Sequence, residues 1–283
     1  MHTKGKELHL GRANCLKLIS QFICLKIFIG FNFYLFENIT LYLFIIFTIS
    51  GLVKGVIGMG LPTVSLLLLT LITDLNTAIS LIILPSLVTN VFQGFFGKHL
   101  KELINEFWIF FVGSGVFVYL GTFIFLKINI LIPTILLSIL IIIYSCVILL
   151  KINISINNEK SIFLRSLVFS SNGFLTGITG SLLVPGVFYF QALGFKKEKL
   201  LQALGLHFSF LSIFLGLSNS QFNNYLAKEL LLISFLSCIF AFLGMYVGNY
   251  FTKNINEKTF KNLFLYSLIV LGFLLTLKIY IFH

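Results

Sequence analysis

Lys54 is the one basic residue that lies deep in a strongly apolar run of this 283-residue chain, about 15 residues or roughly 22 Å of helix beyond the run's start. A lysine at the centre of a membrane-spanning helix costs about 2.5–3.5 kcal/mol on insertion scales. It can escape that cost by extending its four-carbon stem to the far interface, or it can be kept there to meet a negative charge. Its neighbours favour the second use. Gly51, Gly55, Gly58, Gly60 and Pro62 surround it, flexible residues followed by a proline that suits the first turn of a new helix. A helix beginning near Leu61 would aim free N–H groups and the positive end of its dipole at the same place. The pattern recurs as Gly173, Gly177, Gly180 and Pro185, with a second half-helix beginning near Leu182. Thr176 stands at the position of Lys54, so the two halves of such a site would differ in chemistry.

Uncharged polar residues gather in matching runs: Ser86, Thr89, Asn90 and Gln93 in the first half, Gln191, Gln202, His207 and Ser209 in the second. Each could line a polar path or simply tie helices together. Gly51, Gly55, Gly173 and Gly177 read as close helix packing, because small residues spaced by four let backbones approach in a membrane. Gly58, Gly60 and Gly180, next to the prolines, read as site residues. No H-E-x-x-H, G-x-S-x-G, C-x-x-C or P-loop occurs, and no pair of carboxylates falls inside an apolar run. An enzyme, a cofactor and a metal are therefore not expected. Cys15, Cys24, Cys146 and Cys238 are far apart and read as buried or lipid-facing thiols.

The elements that must carry these residues follow from composition. The chain is 58% hydrophobic and 10% charged, with 34 Phe and mean hydropathy +1.03, against about 25% charged residues in soluble domains. That excludes a soluble or disordered protein. Apolar runs occupy approximately 39–57, 61–73, 76–96, 104–126, 129–150, 163–182, 185–194, 200–218, 228–251 and 259–281. Most have the roughly 20 residues that a bilayer-crossing helix needs. From Ile39 to Thr73 there are 35 residues, about 52 Å as one helix, too long for one crossing and too short for two. The helix must break at the glycines. Gly51, Gly55 and Gly58 map onto Gly173, Gly177 and Gly180 with one offset of 122 residues, which marks an internal duplication. Corresponding helices interrupted by Gly and Pro in both halves are the best sequence pointer to a secondary transporter's binding site.

The expected fold is thus an all-α, polytopic transmembrane bundle of about eight spans, in two four-helix repeats with broken first helices. The expected organisation is a basic leader at 1–38, a first repeat at 39–150, a polar linker at 151–162 and a second repeat at 163–283. A broken helix that turns back would make the repeats inverted, the arrangement favoured here. The net charge of +11 is scattered over short segments between runs, which reads as topology and contact with anionic headgroups, not as a nucleic-acid surface. Asp74 and the glutamates all lie at run ends or in loops, so no carboxylate stands deep in a span to relay protons. An anion leaving a cell that is negative inside gains about 2.3 kcal/mol per charge per 100 mV, so export could run without a coupling ion.

The segments GLVKGVIGMGLPTVSLLLL at 51–69, LIILPSLVTNVFQG at 81–94, NGFLTGITGSLLVPGVFYFQALGF at 172–195 and LLQALGLHFSF at 200–210 resemble the TauE/SafE family of sulfite exporters, also called the 4-toluene sulfonate uptake permease family. The resemblance covers roughly residues 39–280. It implies a multi-pass transporter of the cytoplasmic membrane for sulfite, organosulfonates or related small anions. It further implies that Lys54, Gly58, Gly60, Pro62, Asn90, Gln93, Gly180, Pro185, Gln191 and Gln202 surround the permeation site. Two positions depart from the family pattern: Met59 interrupts what is commonly a run of three glycines, and His207 stands where a smaller polar residue is usual. A channel-like conduit and a non-transporting scaffold are the competing readings of the same features.

Overall fold

A bilayer offers the backbone no hydrogen-bond partners, so a chain this apolar must satisfy its own N–H and C=O groups within helices. The computed structural model describes residues 40–152, 161–223, 228–252 and 256–282. Ten helices occur among them: α1 Thr40–Ile57, α2 Leu61–Ile72, α3 Leu75–Phe95, α4 Leu100–Phe125, α5 Leu131–Leu149, α6 Ile162–Thr179, α7 Gly186–Ala192, α8 Lys197–Asn223, α9 Lys228–Phe251 and α10 Glu257–Phe282. No strand occurs among the described residues. The expected leader, with Cys15 and Cys24, lies outside the described residues, as does most of the expected linker. The chain divides into two units, Met1–Leu43 and Phe44–His283. Of the first, residues 40–43 are described and are helical. The second holds the helical bundle described below.

Seven of these helices, α1, α3, α4, α5, α8, α9 and α10, are long and apolar enough to cross a membrane. The 18-residue α6, diluted by Arg165, Ser170, Ser171 and Asn172, is not among them, although it corresponds to α1 by the offset of 122 residues. Trp108, Ile109, Val116 and Leu120 on α4 and Leu263, Tyr266, Val270 and Phe273 on α10 are exposed. Soluble monomers rarely leave apolar patches of that extent open, and here they form the lipid-facing surface. Phe47, Phe107, Phe111, Tyr144, Phe190 and Phe208 are fully buried and fill the interior.

Contacts between helices fix their directions. Gln93 near the end of α3 donates to Leu201 O near the start of α8 (2.8 Å), and Asn219 near the end of α8 donates to Ser80 near the start of α3 (3.0 Å). These two helices are antiparallel. Lys54, late in α1, reaches Thr89 and Asn90, late in α3, so α1 and α3 share a direction and α2 must run back between them. Gly180 at the end of α6 sits against Ile79 at the start of α3, so α6 runs with α8. The two broken helices therefore point opposite ways, and the repeats are inverted, as expected. Each broken helix doubles back, giving five helical pieces per half.

The duplication is repeated in the packing. A Cβ on Gly51 would strike the carbonyl of Ala241, and one on Gly173 would strike that of Ser114. A Cβ on Gly55 would lie 2.9 Å from Asn249 N, and one on Gly177 2.6 Å from Thr122 N. The partners on α4 and α9 are related by a single offset of 127 residues: 114 to 241, 118 to 245, 121 to 248 and 122 to 249. The expected close-packing role of these four glycines thus describes two equivalent seams, α1 on α9 and α6 on α4, in which no side chain fits between the backbones.

Candidate functional site

The first break is short. α1 closes with Gly58 N donating to Lys54 O (2.7 Å), and Gly58 (φ 86°) and Gly60 (φ 111°) adopt the left-handed region that costs other residues a steric penalty. Gly60 caps α2, whose second residue is Pro62, where a missing N–H removes no helical bond. A Cβ on Gly58 would lie 2.6 Å from Leu201 Cδ1, and one on Gly60 3.1 Å from Phe264, so the turn is also tightly enclosed. The second break is longer. Gly180 (φ 72°) ends α6, and residues 181–185 run irregularly to α7, whose cap is Pro185 after a cis peptide bond.

An irregular backbone in a membrane must be satisfied by protein, and side chains of α6 do this. The Thr176 hydroxyl donates to Ser181 O (2.8 Å), Thr179 Oγ1 accepts from Ser181 N (3.2 Å), Asn172 Nδ2 faces Leu182 O (3.5 Å) and Asn172 Oδ1 accepts from Gly186 N (2.6 Å). Asn172 also bonds Thr176 Oγ1 (3.2 Å) and faces His207 Nε2 (3.2 Å). Thr176, the mate of Lys54, therefore serves the backbone of its own break.

Lys54 is buried, with 2% of its surface exposed. Its ammonium donates to Thr89 Oγ1 (3.2 Å) and to Asn90 Oδ1. Asn90 Nδ2 in turn donates to Ser86 Oγ (3.1 Å), which bonds Ser212 Oγ on α8 (3.0 Å). The Thr89 hydroxyl hydrogen is directed to Pro85 O (2.8 Å), leaving its oxygen to accept from Lys54. The result is a polar thread from α1 through α3 to α8. The described ion pairs, His99–Glu102, Arg165–Glu106 and Lys199–Glu102, are exposed or half-buried and do not involve Lys54.

Of the residues singled out in the sequence, Lys54 and Asn90 are thus in direct contact, with Gly58, Gly60 and Pro62 in the adjoining break. Gln93 and Gln202 meet elsewhere. They clip α3 to α8, Gln93 through Leu201 O and Gln202 through Gly94 O (3.0 Å) and His99 N (2.9 Å). Gly180 and Pro185 bound the second break, and Gln191 lies at the end of α7, where its carbonyl accepts from Gly194 N (3.2 Å). Asn172 was not singled out, although it connects more of the second break than any residue that was. Its signal in the sequence was a carboxamide directly before Gly173 inside an apolar run.

A family model described as Sulfite exporter TauE/SafE matches residues 43–275. No curated protein and no solved structure matches the chain.

Proposed function

We propose, from the premise that this chain belongs to the sulfite exporter TauE/SafE family and is a multi-pass membrane transporter, that its cargo is a small anion bound at Lys54. Sulfite, an organosulfonate or a related compound fits that chemistry. The observation that carries the reading is a buried lysine Nζ whose partners are the neutral oxygens of Thr89 and Asn90. A buried charge is tolerated when paired and is costly otherwise. An anion is the counter-charge that this site lacks among its described neighbours, and the Lys54 ammonium retains a third hydrogen to offer it. Thr89 and Asn90 hold the ammonium in place, and the α1–α2 break admits the cargo beside it. The inverted repeats supply a route to alternating access, since two halves of opposite direction can exchange conformations about a shared site.

The test is flux of sulfite and of methanesulfonate from liposomes holding wild-type or Lys54→Gln protein. Saturable flux with counter-transport in the wild type and its loss in Lys54→Gln support the reading. Flux that Lys54→Gln leaves unchanged sinks the role of Lys54, non-saturable flux returns the channel, and no flux from folded protein returns the scaffold.

A further inference from the structure

We infer that His207 binds a proton that travels with the anion, an inference that rests on the proposed anion transport and adds a second ligand to it. The tautomer of this imidazole follows from backbone groups whose roles are fixed. Gly186 N–H donates to Asn172 Oδ1 (2.6 Å), so that atom is the amide oxygen. On its other side Asn172 Nδ2 faces Thr176 Oγ1 (3.2 Å) and Leu182 O (3.5 Å), and the Thr176 hydrogen is committed to Ser181 O (2.8 Å). His207 Nε2 lies 3.2 Å from Asn172 Oδ1 and must itself carry a hydrogen. In the neutral ring Nδ1 is then a bare lone pair. It is buried and has no hydrogen-bond partner among the described residues. Such atoms are rare in folded proteins, and each calls for a reason.

The described surroundings are aromatic. Phe110, Phe111, Phe190 and Phe208 enclose the imidazole at ring-centroid distances of 5.1, 6.2, 5.6 and 6.0 Å. α8 packs against α3, α4, α6 and α7, and their titratable groups stand elsewhere. α3 has none. Lys101, Glu102 and Glu106 lie in the first turns of α4, with Tyr119 further along against Phe214. Arg165 opens α6 and pairs with Glu106 (3.4 Å), and Lys197, Glu198 and Lys199 open α8. Tyr189 on α7 stacks on Phe110 (5.1 Å). Lys54 is engaged by α3. No carboxylate faces the ring among the described residues, so an imidazolium formed here must take its counter-charge from the cargo.

That requirement sets the coupling. An unpaired charge is costly in a buried site, so a proton from water joins Nδ1 when the second break opens, stays while an anion accompanies it and leaves from Nδ1 to water on the other face. A monoanion moving with one proton adds no net charge to the protein interior. The two move in the same direction, and the membrane potential does no net work on them. The imidazole is placed to sense opening, because a Cβ on Gly186 would lie 2.7 Å from His207 Nε2; the first residue of α7 packs directly on the His207–Asn172 pair.

The experiment uses methanesulfonate, a permanently ionised probe that carries no proton of its own, with a pH dye inside liposomes holding the full chain. Sulfonate efflux from wild type should make the interior alkaline, and His207→Gln should lose that shift in whatever flux it retains. Sulfonate flux without a pH change in wild type overturns the inference and leaves the transport reading standing. Absence of sulfonate flux strikes the transport reading instead, and ¹⁵N-histidine NMR of wild-type protein in lipid then decides on His207. A neutral Nε2–H ring that takes a proton on Nδ1 upon acidification supports the inference. A neutral Nδ1–H ring, or an Nδ1 that takes none, overturns it.

Discussion

Asn90→Asp places a carboxylate where the carboxamide oxygen now meets Lys54, an internal anion competing with the cargo. The Lys54 Nζ to Thr89 Oγ1 distance of 3.2 Å is a fair guide to the new separation. Two unit charges at about 3.2 Å attract by about 5 kcal/mol at an effective dielectric constant of about 20. Desolvation of the new carboxylate offsets part of this, leaving about 2–3 kcal/mol by which Lys54 is withdrawn from an external anion. At about 1.4 kcal/mol per factor of ten, cargo affinity should fall roughly 30- to 150-fold. The geometry needs little adjustment, because the Ser86 hydroxyl that now accepts from Asn90 Nδ2 (3.1 Å) can rotate and donate to the carboxylate. The fold should be as stable as wild type or more so. The assay pairs saturation kinetics of sulfite and methanesulfonate flux in liposomes with thermal unfolding in detergent. Half-saturation at the wild-type concentration would refute the anion site at Lys54. A drop in Tm as large as the loss of transport would reduce Asn90 to a packing residue.

Gly51→Ala and Gly173→Ala should destabilise alike, by about 1–3 kcal/mol or more from overpacking, because each added methyl meets a carbonyl of the facing helix; Tm values that differ widely between the two would deny the equivalence of the seams. Asn172→Leu strips Gly186 N and Leu182 O of their partner, and at about 1–3 kcal/mol per buried unsatisfied group it should sharply cut the yield of folded protein, read by size-exclusion chromatography. Ser138→Ala removes bonds to Gly272 O (2.7 Å) and Thr276 Oγ1 (2.8 Å) between α5 and α10, away from the polar thread. It should cost about 1 kcal/mol in thermal unfolding and leave the concentration dependence of flux unaltered.

The helices were legible because a bilayer simplifies the reading. Every apolar run in the sequence reappears as a helix, and the break was forced by arithmetic, since 35 residues fit neither one crossing nor two. The roles of individual polar residues were less legible. Gln93 and Gln202 looked like path-lining residues, yet they are spent on carbonyls and an N–H at the end of the α3–α8 pair, a use that depends on which helices meet. The role of Asn172 is not legible locally, because nothing distinguishes an asparagine that bonds a neighbouring helix from one that satisfies an unwound segment ten to fourteen residues further along.

The equivalence of the seams and the difference between the breaks have one physical origin. Alternating access, as proposed, would have both broken helices slide or tilt against matching partners, and bare glycine backbones at Gly51, Gly55, Gly173 and Gly177 give each the same contact. Under the proposed function chemical identity is not required, because one cargo would meet both halves in every cycle. In the proposed cycle Lys54 on one broken helix carries a standing charge, whereas Thr176 and Asn172 on the other are neutral and satisfy an irregular backbone. A second lysine at position 176 would leave Ser181 O without its hydroxyl donor and would bury a second standing cation that remains when the cargo has left. One-sided placement of charge therefore follows from the unequal lengths of the two breaks, three residues between α1 and α2 against six between α6 and α7.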